Sequence, residues 1–458
     1  MHLKSKYKKL ILLVICTFGM VGVILLICFS SNALAVAASI DLGDIPNINI
    51  TLKYQGHSFV YNSCQHLPNI TTFTQQRVFQ KNNRTGTHLD RANMIDKMIG
   101  CKLPIDDVFC YMFGGWKEYY AAVKKTVNVA PQDAVLNFNP NKPPFFEVKK
   151  EVIGYKLNDN DVLCTILKEM HNTDNIVVNL KPQLLLPNVY YDSLIKQTSK
   201  LSSFSTSYQT SSEDRKNNIK LALKNFNGMQ VMPKQTISFN SVTGERTVQK
   251  GYKTAHMIME GEYIDAIGGG VCQASTTLYN ALLLSGVDID EVHSHSLPSG
   301  YVALGFDAMV NFGTSDLRFT NQYDTPIYIK VVCTNERVRV DIYGQNYSQN
   351  IKTKTKTEVL SVLPPPNDKV IVDNNGEYID IVEYKDESFY KKQAQNGYKV
   401  NAYLEYYANN KLKKRKLLRT VTYKPQQGIK IFGAKNRLIN EQQNNEFLQT
   451  LSNILGKY

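Results

Sequence analysis

No CxxC pair occurs anywhere in the 458 residues, and the eight cysteines are scattered, with Cys101 and Cys110 the only close pair. That spacing excludes a zinc knuckle and a dense disulfide framework, although a Cys101–Cys110 bridge closing one loop stays open. Acidic residues are missing altogether before Asp41, where Lys4, Lys6, Lys8 and Lys9 stand alone. Leu10 to Phe29 carries no charge of either sign. Twenty such residues are long enough to span a bilayer as a helix, and the basic flank then keeps the N-terminus cytoplasmic and everything after residue 30 outside. A cleaved signal peptide is the rival reading, because Ala33, Ala35, Ala37 and Ala38 offer a processing site, but the apolar run exceeds the usual signal length. Both readings export the chain, and export removes nucleic acid as a partner.

What is present is ordinary in bulk and uneven in detail. The chain is 43% apolar and long enough for two to three domains, each with its own core. Beyond the four N-terminal lysines, 49 basic residues face 40 acidic ones. A basic surface favours an anionic partner. Cys16 and Cys28 lie in the apolar run and leave six cysteines outside it, so at least one free thiol is expected.

The stretch from Gly268 to Gly286, GGGVCQASTTLYNALLLSG, carries the most chemistry. Gly268, Gly269 and Gly270 permit a tight turn closed to residues with a Cβ. Ala274, Leu278, Ala281 and Leu282 then recur at helical spacing, and Gly286 supplies a stop, which puts Cys272 on the first turn of a helix. Unpaired N–H groups and the positive end of the helix dipole lower a thiol pKa there, favouring the nucleophilic thiolate. The bland alternative is a small buried cysteine behind a glycine turn.

Downstream, Glu291-Val-His-Ser-His-Ser-Leu-Pro sets His293 and His295 two apart, so in an extended segment both imidazoles share one face. A thiol nucleophile needs such a neighbour to take its proton and return it to a leaving amine. Asp307 and Asp316 are acids that would orient a histidine through its second nitrogen, or else plain turn carboxylates. Zinc held by Cys272, His293 and His295 is disfavoured because no metal-site motif surrounds them, so neither metal nor cofactor is expected. Arg246 and Lys250, in the polar turn GERTVQKGY, are either solvated or aimed at an anionic substrate group. Ser275, Thr276 and Thr277 either meet substrate or make intrahelical bonds. His57, His66, His88 and His171 stand isolated in polar surroundings and read as surface residues.

Elsewhere, Asp90–Ile99 and Asp161–Met170 have helical spacing, Val148–Tyr155 alternates as a strand, and Pro140, Pro143 and Pro144 mark a break. Ser202–Ser212 has linker composition. Ser212 is positioned to cap a helix through Ile219, Ala222, Leu223 and Phe226. After residue 345 alternating segments around Asn409-Asn410 predict a hairpin with one wet basic face, and Asn436–Leu455 predicts a terminal amphipathic helix.

The blocks GERTVQKGY, GGGVCQASTTLYNALLLSG, HSHSLPSGYVALGFDAMV and SDLRFTNQYDTPIYI closely resemble, in order and spacing, the VanW domain of bacterial envelope proteins. The resemblance covers roughly residues 212–345, and the upstream region resembles, more weakly, the peptidoglycan-binding module that often precedes such a domain. Members of the family have been associated with L,D-transpeptidase activity, in which a cysteine enzyme joins peptidoglycan stem peptides. The resemblance implies Cys272 as nucleophile and His295, in its HS-x-P position, as the better base, with His293 second. The SHGCIRL motif of the better-known L,D-transpeptidase domain is absent, so its geometry does not transfer.

The expectation is an α+β, multidomain chain. Its segments are a cytoplasmic tail and transmembrane anchor over 1–30, a tether over 31–60 and a mixed α/β peptidoglycan-binding module over 61–200. The catalytic domain follows over 212–345, then a small β-rich module over 346–435 and a terminal helix over 436–458. Catalytic candidates are Cys272, His295, His293 and Asp307; candidate substrate or oxyanion groups are Gly269, Gly270, Gln273, Ser275, Arg246 and Arg318. The expected partners are stem peptides, the membrane and anionic wall polymers, and the expected location is the cell membrane, facing the wall. A cysteine peptidase or carboxypeptidase on the same stems, and a non-catalytic wall-binding factor, are the alternatives.

Overall fold

The computed structural model describes residues 48–63, 88–100, 102, 104–259, 262–347, 351–437 and 441–455. The anchor expected at Leu10–Phe29 lies outside them, and among the described residues no helix is long and apolar enough to cross a membrane. The fold is mixed α+β in two compact units. One comprises the described residues up to Val135 with Lys149–Tyr191; the other comprises Leu136–Val148 with the described residues from Asp192 on.

In the first unit β1 (Asn49–Tyr54) lies between β2 (His57–Asn62), antiparallel, and β3 (Asn175–Asn179), parallel. Alternation sends Ile50, Leu52, Ile176 and Val178 into one core. Four helices cover that face: α1 (His88–Gly100), α2 (Ile105–Met112), α3 (Trp116–Val127) and α4 (Asp159–Met170). They contribute Ile95, Phe109, Trp116, Leu163 and Ile166. The helical spacing read at Asp90–Ile99 and Asp161–Met170 thus corresponds to α1 and α4. The proline break is the turn of a hairpin pairing Val135–Phe138 with Phe146–Lys149, most of which belongs to the second unit.

The second unit is built on β4 (Ser199–Ser207), α5 (Glu213–Lys224), β5 (Gln230–Val231), β6 (Thr236–Ser238), β7 (Thr254–Met259), β8 (Glu262–Ile267) and α6 (Val271–Ser285). It continues with β9 (Asp288–Glu291), β10 (Arg318–Thr320), β11 (Ile327–Cys333) and β12 (Arg337–Gly344). The main sheet is antiparallel in the order β4-β12-β11-β5, with a smaller β6-β10-β9 sheet and a β7-β8 hairpin. The linker expected over Ser202–Ser212 is therefore, through Ser207, a strand paired along its length with β12. Its hydroxyls find internal acceptors: Ser202 Oγ donates to Ala281 O (2.6 Å), Ser203 Oγ to Asp341 Oδ1 (2.6 Å), and Thr206 Oγ1 bonds Thr277 Oγ1 (2.8 Å). Hydroxyls bonded in this way let a polar, half-buried run pair as the edge strand of the sheet.

Twelve of the fifteen residues of α6 are buried, so it is the central strut of the unit rather than a surface helix. Ser212 caps α5 by accepting from Arg215 N–H (3.3 Å), as its position predicts. Beyond residue 350, β13 (Ile351–Leu363), β14 (Gly397–Ala408) and β15 (Lys411–Tyr423) form an antiparallel sheet. Asn409 and Asn410 make the predicted two-residue turn, with φ of 51° and 59°. Ala402 and Leu404 of β14 enter the same core as α6. The strands expected as a separate C-terminal module thus share the compact unit of the cysteine helix.

Candidate active site

The glycine turn places the cysteine by close packing. Gly268 and Gly270 adopt φ of +88° and +103°, a region that favours glycine, and Gly270 is the N-cap of α6. A Cβ on Gly269 would lie 2.2 Å from Ala255 O, so the turn can approach β7 only without a side chain. Cys272 is then the second residue of α6, and its thiol reaches Val310 O at 3.4 Å. Val271 N–H and Gln273 N–H bond back to Gly268 O and Gly270 O (3.1 and 2.9 Å), while Cys272 N–H has no acceptor among the described residues.

His295 faces the thiol from the loop after β9. Its Nδ1 bonds Asp307 Oδ2 at 2.7 Å, and its backbone N–H donates to the same oxygen at 2.6 Å, which leaves Nε2 for Cys272. Asp307 and His295 are 1% and 5% exposed, so this pair is sealed from bulk water. Burial alone would raise the Cys272 thiol pKa. The hydrogen bond and charge of His295, helped by the Arg246 charge, outweigh it and hold the thiol below its ordinary value. Burial alone would likewise lower His295, but Asp307 and the thiolate push it up to about 10. The two shifts agree on one species, a thiolate–imidazolium pair with a carboxylate behind it.

The loop bearing Asp307 is fastened to the cysteine helix by its polar residues. Ser275 Oγ donates to Ala308 O (2.5 Å), Thr276 Oγ1 accepts from Ala308 N–H (2.8 Å), and Asn280 Nδ2 donates to Phe306 O (2.8 Å). Support also comes from β15, far along the chain. Tyr423 Oη donates to Asp307 Oδ1 (2.6 Å) and accepts from Gly305 N–H (2.7 Å), and Arg419 Nε donates to Gly305 O (2.9 Å). Burial would raise the Asp307 carboxyl, but His295 and Tyr423 hold it below the usual carboxylate range.

Cys272 and His295 open onto a cavity of about 440 Å³, lined also by Arg215, Arg246, Tyr301, Val310 and Phe312. Chemically, the arrangement combines a nucleophilic thiolate, a proton shuttle on Nε2, an orienting carboxylate and a free N–H at the positive end of a helix.

Several candidates lie elsewhere or do other work. His293 bonds Glu291 Oε1 (2.8 Å) and is away from the cavity lining, because the two histidines do not share a face. Asp316 accepts from Asn240 N–H (2.9 Å) and Leu317 N–H (2.8 Å), a turn carboxylate rather than a partner of His295. Arg318, on β10, is outside the lining. Gly269 N–H is turned to Ala266 O (3.3 Å), away from any oxyanion position at the cysteine. Gln273 lines the cavity, but its amide braces Arg215 (Oε1 to Nη1, 2.7 Å) and Ser207 O (2.7 Å); Ser275, on α6, is fully buried against the Asp307 loop. Sequence reasoning missed Arg215, Tyr301, Arg419 and Tyr423. Only Tyr301 carried a signal, since it stands in the block that holds His295 and Asp307. Cys110 is a free thiol among the described residues, and Cys101, its expected bridge partner, lies outside them.

The fold and this constellation define a protein organised around a buried helix whose first turn bears a paired thiol. Residues 214–343 match the family model described as VanW like protein. The chain is 33% identical over 232 residues to Uncharacterized protein YoaR of Bacillus subtilis (strain 168), spanning 50% of this chain and 75% of that one. It is 27% identical over 142 residues to Vancomycin B-type resistance protein VanW of Enterococcus faecalis (strain ATCC 700802 / V583), spanning 30% of this chain and 52% of that protein. This chain belongs to the VanW-like family. Among solved structures, an IgA1 protease G5 domain is similar over 20% of this chain and the whole of that one, at 16% identity; its TM-score of 0.12 is too low to bear on the fold.

Proposed function

We propose that this chain is a cysteine-dependent L,D-transpeptidase of the cell envelope, anchored through Leu10–Phe29 and acting on peptidoglycan stem peptides. The observation that carries this reading is the Cys272–His295–Asp307 constellation at the head of α6, open to a cavity. Membership of a family that includes a vancomycin-resistance protein supports a cell-wall substrate.

In the first half-reaction the Cys272 thiolate attacks the carbonyl carbon of the third stem residue. The oxyanion is met by Cys272 N–H at the helix start. As the C–N bond breaks, the His295 imidazolium gives its Nε2 proton to the leaving amine, so a terminal D-Ala departs neutral at nitrogen and a thioester remains. In the second half an amine of another stem attacks the thioester, neutral His295 takes a proton from it, and collapse restores thiolate and imidazolium with a new amide between third residues. The cleaved amide supplies the acyl group, so no nucleotide is consumed.

The test is purified protein with tetrapeptide muropeptides, read by mass. Dimers formed with loss of D-Ala, and absent with a folded Cys272→Ala variant, are the expected result. Shortened monomers without dimers would assign hydrolysis instead, and unchanged dimer formation by Cys272→Ala would refute the reading.

A further inference from the structure

Two arginines from separate segments converge on the cysteine helix, and the glycine turn is shaped around them. A Cβ on Gly268 would lie 3.1 Å from Arg246 Cβ, and one on Gly270 would lie 2.9 Å from Arg215 Cγ. The two positive-φ glycines therefore do more than turn the chain: each admits one arginine stem beside Cys272. Arg215 Nη1 is held by Ser211 Oγ (2.9 Å) and Gln273 Oε1 (2.7 Å). Arg246 Nη2 donates to Asn240 Oδ1 (2.6 Å), and its guanidinium stands 6.0 Å from both the Phe239 and Phe312 rings. Arg246 Nη1 is buried and has no partner.

The side-chain partners of both arginines among the described residues are neutral, although both line the cavity. The other charges there are already accounted for: the thiolate faces the imidazolium, His256 bonds Asp265, and the remaining acid, Glu245, is exposed. The cavity is thus lined by fixed positive charge that no acid answers, and Arg246 has hydrogen-bonding capacity to spare, a combination that a carboxylate satisfies with charge-assisted hydrogen bonds.

We propose that Arg246, backed by Arg215, binds the free α-carboxylate of the residue expelled from the donor, so that the donor must end one residue beyond the attacked carbonyl. This rests on the acyl-transfer reading above. A carboxylate on the leaving residue is only one residue's backbone from the carbon bonded to Cys272, and therefore falls in the same cavity. The site then selects peptide acids over amides or longer chains.

The experiment compares a tetrapeptide stem with its C-terminal amide in two assays: turnover by the wild-type chain, and calorimetric binding to Cys272→Ala, which needs no turnover. The expected result is a loss of about tenfold or more in kcat/KM and in affinity for the amide. Arg246→Gln, checked for an unchanged melting temperature, should handle acid and amide alike, while Arg246→Lys keeps part of the preference. Equal use of acid and amide by the wild type overturns the subsite while leaving acyl transfer standing. If neither peptide turns over, the function fails, and binding to Cys272→Ala still decides the subsite. A further outcome also overturns it: Arg246→Gln slows acid and amide equally while shifting the pH midpoint of Cys272 alkylation upward, which would make Arg246 a thiolate stabiliser only.

Discussion

The two units bury different kinds of side chain. Around β1 and the four helices of the first, the core is apolar and aromatic: Ile50, Leu52, Phe109, Trp116, Leu163 and Ile166, with the Tyr61 and Trp116 rings 5.3 Å apart. Tyrosines aside, the buried polar and charged side chains, from Gln197 to Gln426, belong to the second unit among the described residues. Burying a polar group is costly unless it is bonded, and a general apolar core would fold more cheaply. The second unit bears that cost around α6, where Ser275, Thr276 and Asn280 fasten the Asp307 loop and Tyr423 reaches the carboxylate. The difference separates packing that holds a shape from packing that aims a site.

The sharpest way to break this comparison is at the base. With the thiol pKa lowered and the imidazole pKa raised, the reactive ion pair exists between the two values. Activity should therefore rise with pH through the lowered thiol pKa and fall as pH passes through the raised His295 value of about 10, when the proton for the leaving amine is lost. His295→Ala should reduce cross-linking by about a thousandfold. It should also move the alkylation midpoint of Cys272 upward toward an ordinary thiol. An unchanged midpoint would show that His295 does not hold the thiolate.

Next in size is a change in the apolar unit. Leu163 is fully buried, and Leu163→Ala should cost about 2–5 kcal/mol in urea unfolding of that unit. The rate and pH dependence of Cys272 alkylation should stay as in the wild type. Slower alkylation at constant fold would mean that the first unit does share in aiming the thiol.

Tyr423→Phe comes third. It removes the hydroxyl that donates to Asp307 Oδ1 and accepts from Gly305 N–H, leaving both groups buried and short of a partner. A loss of about 1–3 kcal/mol in stability is expected. A purely structural role would stop there. As a positioning residue Tyr423 should also affect the pH profile: a carboxylate less well held supports the imidazolium less, so the upper limb of activity moves to lower pH.

Much of this was legible beforehand. Three glycines, the 3.6-residue spacing and Gly286 delimited α6, and the first-turn position of Cys272 followed from them. The remainder was hidden for physical reasons. Ser202–Ser207 reads as a linker because serine is polar, yet its hydroxyls meet Ala281 O and Asp341 inside the fold. Tyr423 and Arg419 lie more than a hundred residues from Asp307, on a basic strand whose outward face masks the two side chains that point back. Arg215 sits on an exposed-looking helix, and only the geometry of Gly270 reveals which way it turns.

The smallest expected effect bears on the histidine pair. Alternation in an extended segment puts His293 and His295 on one face, but after His293 the chain departs from regular pleating. His293 O accepts from Met309 N–H (2.8 Å), and its ring pairs with Glu291 at 40% exposure. Exposed pairs of this kind contribute about 0–1 kcal/mol. His293→Gln should therefore leave cross-linking within about twofold of the wild type and the Cys272 alkylation midpoint unmoved. A loss comparable to that of His295→Ala would mean that the loop rearranges around substrate and that the base is chosen only in the complex. An unmoved midpoint in His293→Gln beside a raised one in His295→Ala would assign the proton shuttle to the histidine whose second nitrogen is held by a buried carboxylate.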